Sequence, residues 1–358
     1  MGKTLMINKN DFKGYLFIFF TGEKSADSEQ LYFAISEDGF NFKDLNDNKP
    51  VLVSNIGESG VRDPYIYRSP KDGKFYLIAT DLSIFNRGGW FKNEQGYYDA
   101  STTGSSNLVL WSSEDLVNWE GPRLIDVAPE NAGMAWAPEM VYHEESDEYI
   151  IFFSSSIMDP NTKMKAKPNA IYYVSTRDFT QYSSPKIFID NQSDPDGKPR
   201  EIIDTTLIKI DDTYYSVSKD GDNEEAGGGI RILKTKTLLD SASWEKVLNL
   251  DELGLSKEGL GIREFNNGDF EGPEIFEINK CEWKNENIPE YGIILDRFAT
   301  DLGYLPLRTT DIEDVHNAKG SWKVLKNGEY DFGKLKKRHG TIMNITASEV
   351  ERLREAFG

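Results

Sequence analysis

The sequence has 358 residues, 38% hydrophobic and 12% aromatic, which is enough apolar material for a sizeable core and excludes a disordered chain. Its 60 acidic and 41 basic residues leave a formal net charge of -19, a field that repels polyanions, so nucleic acid and anionic membrane are excluded as partners and a neutral substrate is favoured. Cys281 is the single cysteine, so no intrachain disulfide can form, the apolar run near Tyr15 is too short for a secretory core, and no stretch approaches the roughly 20 apolar residues of a membrane span; the expectation is a cytoplasmic protein.

In chain order, the first predicted strand is an aromatic run, GYLFIFFTG from Gly14, followed by LYFAISEDG from Leu31. A shorter segment, DPYIYR from Asp63, then leads into KFYLIATD from Lys74 and, past a Gly-, Asn- and Ser-rich insert at Phe85 to Ser106, into LVLWSSEDL from Leu108. The same three-step order recurs as APEMVYH, EYIIFFSSS and IYYVSTRDF from Ala137, Glu148 and Ile171, and as DTTLIKI, TYYSVSKD and IRILKTKTL from Asp204, Thr213 and Ile230. A fourth set, GPEIFEI, YGIILDRF and YLPLRTTDI, starts at Gly272, Tyr291 and Tyr304, and HGTIMNIT from His339 supplies a fifth segment of the first kind. Four of the five second strands end in Ser/Thr-x-Asp, where the Asp can bond backbone N–H groups two residues on and fix the following turn. Downstream aromatics, Phe42, Trp119, Tyr182, Trp244 and Trp322, mark the start of a last strand in each unit.

Taken as Asp63, Trp136, Asp204, Glu271 and His339, the heads of the first segments lie 73, 68, 67 and 68 residues apart. Such a period, with four strands per unit, predicts an all-β five-bladed β-propeller with four-stranded blades, a single catalytic domain over residues 1–358. Because the chain begins with the second strand class and ends with the first, both termini should close the last blade, with His339 to Thr346 innermost and Gly14 to Leu45 outside. The tail from Ser348 to Phe357 reads as a short amphipathic helix with Ser348 as its N-cap. The inserts at Phe85 to Ser106 and Gly221 to Gly229 read as surface loops, and the first carries Trp90, Phe91, Tyr97 and Tyr98, which could wall a ligand site.

Innermost strands of a propeller start at one end of its channel, so their heads converge. Three of these heads are acids, and like charges brought together oppose ionisation, a poor structural device. Hydrolysis of a glycosidic bond needs such a set: one carboxylic acid to protonate the leaving oxygen, one carboxylate to activate water or attack carbon, and a third acid able to keep the donor protonated. Asp63, Asp204 and Glu271 can supply those roles, and no cofactor is required.

The segments RDPYIYR, MAWAPEMVY, IIDTTLIKIDDTYY, FEGPEIFEIN and RHGT resemble, in order along the whole chain, the blade-head motifs of glycoside hydrolase family 43. That family comprises five-bladed propellers acting as α-L-arabinofuranosidases, β-xylosidases, endo-arabinanases and some galactan-cleaving enzymes, with inversion at the anomeric centre. The resemblance implies that Asp63 is the general base, that Asp204 tunes pKa and orients, and that Glu271 is the general acid. It further implies that Trp136 stacks under the sugar, that Arg297 or Arg308 grips its hydroxyls, and that Phe270 and Trp90 line the same site. His339 resembles a channel histidine that helps hold a hydrated Ca2+-like structural ion on the axis. Arg62 stands where a small residue is common, and Glu139 where Asp often follows Trp-Ala-Pro. The expected function is an exo-acting α-L-arabinofuranosidase on small pentose-containing oligosaccharides; the alternatives are a β-xylosidase, an endo-arabinanase or xylanase, and a non-catalytic carbohydrate-binding propeller.

Overall fold

The computed structural model describes residues 8–92, 98–162, 164–189, 201–220, 229–253, 270–298, 302–314 and 320–358. Five four-stranded antiparallel sheets form the five blades. Counted along the chain, the first blade runs from inside to outside as Val61–Arg68, Phe75–Asp81, Asn107–Ser113 and Trp119–Asp126. The second begins at Trp136–His143, the third at Ile202–Ile210 and the fourth at Glu271–Glu277. In the fifth, Arg338–Thr346 is innermost and pairs with Phe12–Phe20, Leu16 opposite Met343 and Phe17 opposite Ile342, so both termini close the ring as expected.

Apolar clusters fill each of the five gaps between neighbouring blades. The first and fifth share one built on Leu77, Trp111, Leu16 and Phe33, and the third and fourth another on Ile232, Leu248, Ile293 and Leu307. Each predicted last-strand aromatic falls in a different one of these clusters: Trp322, Trp119, Tyr182, Phe42 and Trp244. A blade strand is thus covered on both faces, which explains why the aromatic runs read as continuous apolar stretches without alternation. Full burial of a large apolar side chain such as Phe17 or Phe152 contributes roughly 1.5–3 kcal/mol against its exposed state.

The Ser/Thr-x-Asp turns form as the residues dictate. Asp38 Oδ1 accepts from the N–H groups of Phe40 and Asn41 at 2.9 and 2.7 Å, and Asp115, Asp178 and Asp311 repeat the bond to the residue two further on. In the remaining blade, where Thr237 replaces the Asp, the Thr235 hydroxyl accepts from the Thr237 N–H at 3.0 Å.

The C-terminal helix, Ala347–Phe357, begins earlier than expected: its N-cap is Thr346, not Ser348. Thr346 Oγ1 accepts from the Glu349 N–H while the Glu349 carboxylate accepts from the Thr346 N–H, a reciprocal pair that satisfies two orphan donors and lets the chain pass from strand to helix without a loop. Val350, Leu353 and Phe357 then seal the first–fifth interface. Within the first insert a short helix, Ile84–Arg87, is followed by the strand pair Phe91–Lys92 and Tyr98–Asp99. The side chains of Phe91, Tyr97 and Tyr98 lie outside the described residues, as does the second insert at 221–228.

Candidate active site

Every innermost strand carries the same irregularity. Its pairing with the next strand skips two residues, between Arg62 and Tyr65, Trp136 and Glu139, Ile203 and Thr206, Glu271 and Glu274, and, in the closing blade, Arg338 and Thr341. Two inner residues oppose one neighbour there, a β-bulge that re-aims side chains. The first bulge residues are Asp63, Ala137, Asp204, Gly272 and His339. The first four have φ of +49°, +47°, +51° and +48°, a conformation non-glycine residues seldom adopt and one held mainly at functional sites.

The five predicted heads therefore do not share one register. Asp63, Asp204 and His339 sit in the bulge, whereas Trp136 and Glu271 precede it by one residue. Spacings of 67 and 68 residues conceal this, because a head one residue before the bulge alters the spacing by no more than the connections between blades do.

The register explains the geometry. His339, protruding from the closing blade, places Nδ1 3.3 Å from Asp63 Oδ1 and 3.9 Å from Asp204 Oδ1. It can reach Asp204 because the blade between them presents Gly272: a Cβ there would come within 2.7–2.9 Å of the imidazole ring. The Gly of Glu-Gly-Pro is thus required twice, for its φ and for the absent side chain. Asp204 Oδ2 accepts from the Gly272 N–H at 3.0 Å. Asp63 Oδ2 accepts from the Thr80 hydroxyl at 2.8 Å, and Thr80 in turn takes the Ala137 N–H at 2.8 Å, tying first and second blades together.

Glu271, one residue before the bulge, meets Arg338 of the same register in the next blade, Oε1 to Nη2 at 2.5 Å. Arg338 Nε contacts Asp296 Oδ2 at 2.7 Å, and Asp296 is fully buried opposite Glu271 on the neighbouring strand.

These surroundings separate the two expected catalytic acids. Burial would raise the Asp63 pKa, but the hydrogen bond and charge of His339, with help from Arg62 and Thr80, bring it below the ordinary value, so Asp63 is a carboxylate. Burial, then the charges of Asp204 and Asp296, push Glu271 up to about 7 against the pull of Arg338 and Lys219. For His339, burial is overcome by Asp204, Asp63 and Glu271, and the imidazole is pushed up to about 9. A carboxylate beside a carboxyl that holds its proton near neutrality is the division acid–base hydrolysis needs.

One step further down the channel the same register gives Tyr65, Glu139, Thr206, Glu274 and Thr341. Glu274 accepts from Thr206, Thr341 and the Ile342 N–H at 3.1, 2.9 and 3.0 Å, and Glu139 from the Leu207 N–H at 3.1 Å. Glu139, the departure noted in the sequence, is thus part of a buried acid pair beneath the site.

The remaining expected residues divide. Trp136 and Trp90 meet edge to face, ring centroids 6.0 Å apart, at the level of Glu271, and among the described residues the Trp136 indole N–H has no hydrogen-bond partner. Trp90 donates to Glu23 at 2.9 Å, and Arg62, paired with Glu23 and Glu29, lies 4.5 and 5.1 Å from the Phe20 and Trp90 rings. Arg297, 5% exposed, donates to the carbonyls of Leu302, Gly303 and Tyr304 and so clamps a turn. Arg308 pairs with Glu290 at 2.7 Å, and its strand register places it four residues from the site end marked by Tyr304 and Asp296, about 13 Å away at the usual strand rise. Phe270, 3% exposed, packs into the cluster between the third and fourth blades. Among the described residues, Arg297, Arg308 and Phe270 are engaged by the fold itself. Arg338, Asp296 and Thr80 were missed; Arg338 stood in RHGT directly before the histidine, and Asp296 ended the run YGIILD.

His339 is the residue that would help hold a hydrated ion on the channel axis, through water. Its imidazole stands between the two carboxylates, 3.3 Å from Asp63 and 3.9 Å from Asp204, and among the described residues no group of three or more His, Cys, Asp or Glu side chains is arranged to hold a metal ion directly.

Comparisons with known proteins bear on the family and the fold. A family profile described as "Probable glycosyl hydrolase domain", of the family 43-related type, matches residues 10–351. The chain is 30% identical over 348 residues to an α-L-arabinofuranosidase of Bifidobacterium longum subsp. longum, a match covering 90% of this chain and 30% of that relative. It thus spans under a third of the relative's length. Among solved structures, an endo-1,4-β-xylanase from Bacteroides thetaiotaomicron superposes with a TM-score of 0.54 at 14% identity, covering 92% of this chain and 93% of that one. The GH93 α-L-arabinofuranosidase of Fusarium graminearum follows with 0.51 at 13%, covering 90% and 82%. At such identities these two show the fold alone. Matched almost from end to end by this profile, the chain belongs to the glycoside hydrolase family 43-related family of probable glycosyl hydrolase domains.

Proposed function

We propose that this chain is an inverting glycoside hydrolase of small pentose-containing oligosaccharides, acting as an exo-α-L-arabinofuranosidase. The observation that carries the reading is the pairing, at one channel end, of Asp63 held as a carboxylate with Glu271 held near neutrality as a carboxyl. Asp63 takes a proton from water as the water oxygen attacks the anomeric carbon; Glu271 gives its proton to the departing glycosidic oxygen. Asp204 fixes the Gly272 backbone beside Glu271 and opposes ionisation of the acid. Inversion calls for a separation of roughly 6.5–9.5 Å between the Asp63 and Glu271 carboxyls, so that water fits. The perpendicular Trp136 and Trp90 rings offer apolar faces for sugar C–H groups, and the name of the 30% identical relative favours arabinofuranose over xylose.

The test is release of arabinose and xylose from aryl glycosides and short oligosaccharides by the wild type, Glu271→Ala and Asp63→Ala, with the anomer of the first-formed sugar followed by NMR. Loss of a positioned acid or base is expected to cost roughly 10²–10⁴ in rate, and the product should have inverted configuration. Equal release by all three proteins would overturn the roles of Glu271 and Asp63, no release by any would leave only a sugar-binding propeller, and faster release of xylose would make the protein a β-xylosidase.

A further inference from the structure

Arg338 is divided between two carboxylates. Nε and Nη2 form one edge of the guanidinium, the edge that closes on a single carboxylate in a two-point ion pair. Here Nε goes to Asp296 Oδ2 at 2.7 Å and Nη2 to Glu271 Oε1 at 2.5 Å. A full two-point pair on Glu271 would favour its anion and make it a poor proton donor. Asp296 prevents that pair from closing. It is fully buried, is the cross-strand partner of Glu271, and also accepts the His339 N–H at 3.4 Å through Oδ2, while among the described residues its Oδ1 has no hydrogen-bond partner.

We propose that Asp296 is a positioning residue for the hydrolytic reaction: by taking one side of the Arg338 fork it holds Arg338 to a single contact with Glu271 and leaves the proton donor free to keep and deliver its proton. The inference rests on the reading of Glu271 as general acid. No covalent step is added; the proton still passes from Glu271 to the leaving oxygen.

The experiment compares two substrates of the pentose that the wild type cleaves, a 2,4-dinitrophenyl glycoside whose leaving group needs no proton and an alkyl glycoside whose leaving group does. In Asp296→Asn the shape stays and the charge goes, so kcat/KM on the alkyl glycoside should fall by about 10²-fold while the dinitrophenyl rate changes by less than about threefold. The alkaline limb of the kcat/KM profile should also move to lower pH. Arg338→Gln, which removes the fork, should move that limb to higher pH. A merely structural Asp296 would lower both rates together and leave the limb in place, and that result overturns the proposal. Should Asp296→Asn fail to fold, an unmoved or lowered limb in Arg338→Gln overturns it equally. Glu271→Gln separates the two levels: if it loses both substrates alike, Glu271 is not the proton donor and the functional reading falls, taking this inference with it.

Discussion

Nδ1 of His339, on the inner strand of the closing blade, stands 3.3 Å from Oδ1 of Asp63 on the inner strand of the first. The contact joins the last stretch of the chain to the first complete blade and gives Asp63 its compensating charge, so site and ring closure depend on one another.

His339 should therefore make stability pH-dependent in a defined window. Its pKa is about 9 in the folded state, above the unfolded value of about 6.5. A group raised in this way stabilises fully below about pH 6.5 and loses that contribution as pH climbs to about 9. The wild-type thermal midpoint should fall over that interval, whereas that of His339→Gln should start lower and stay flatter. Parallel midpoint curves for the two proteins would rule out a protonated His339 as the link between Asp63 and Asp204.

Gly272→Ala tests the same link from the other side. Alanine tolerates φ near +48°, as Ala137 shows at the equivalent position, so strain alone would cost only about 1–2 kcal/mol. The added Cβ must also displace the imidazole, which lies 2.7–2.9 Å from where that atom would be. Activity should fall by more than the stability loss explains, and the His339-dependent slope above pH 6.5 should shrink with it. A variant that is less stable but keeps the wild-type slope and rate per folded molecule would show that the ring can step aside.

How far the sequence disclosed this site follows from what each feature depends on. The blades were legible because aromatic runs and Ser/Thr-x-Asp turns are local, repeated five and four times, and owe nothing to partners elsewhere. Asp63, Asp204 and Glu271 were legible as a set for the same reason. Their relative height was not, because a two-against-one bulge leaves no mark on composition, and so Trp136 and Glu271 were aligned with residues one step below them. Arg338 and Asp296 could be assigned only through each other and through Glu271, across 42 and 67 residues of chain. For Arg297 and Arg308, charge suggested sugar hydroxyls, while the fold supplied nearer acceptors, three carbonyls in one case and Glu290 in the other. At the C-terminal helix both Thr346 and Ser348 have a Glu three residues on, and the end of the strand chose Thr346.

The acid pair beneath the site yields the last prediction. Burial first, partly offset by bonds from the Ile342 N–H, Thr341 and Thr206, pushes Glu274 up to about 7; burial and then the charge of Glu274 hold Glu139 well above the usual carboxylate range. A carboxyl raised above its unfolded pKa of about 4.3 stabilises below that value and loses its contribution as pH rises toward 7, because the folded protein resists ionising it. Glu274→Gln keeps the shape and removes the titration, so it should match or trail the wild type at pH 4.5 and exceed it at pH 8. Glu274→Ala should be less stable at both, by roughly 1–3 kcal/mol, since it strands the Ile342 N–H and Thr341 without an acceptor. Thermal midpoints of the three proteins between pH 4.5 and 8 decide the matter: a Gln variant that tracks the wild type throughout would mean that the pair keeps its charges without penalty. If the Gln variant gains stability at pH 8 at unchanged kcat/KM, the pair belongs to the channel's packing; if kcat/KM falls as stability rises, the negative charge below His339 serves the site above it.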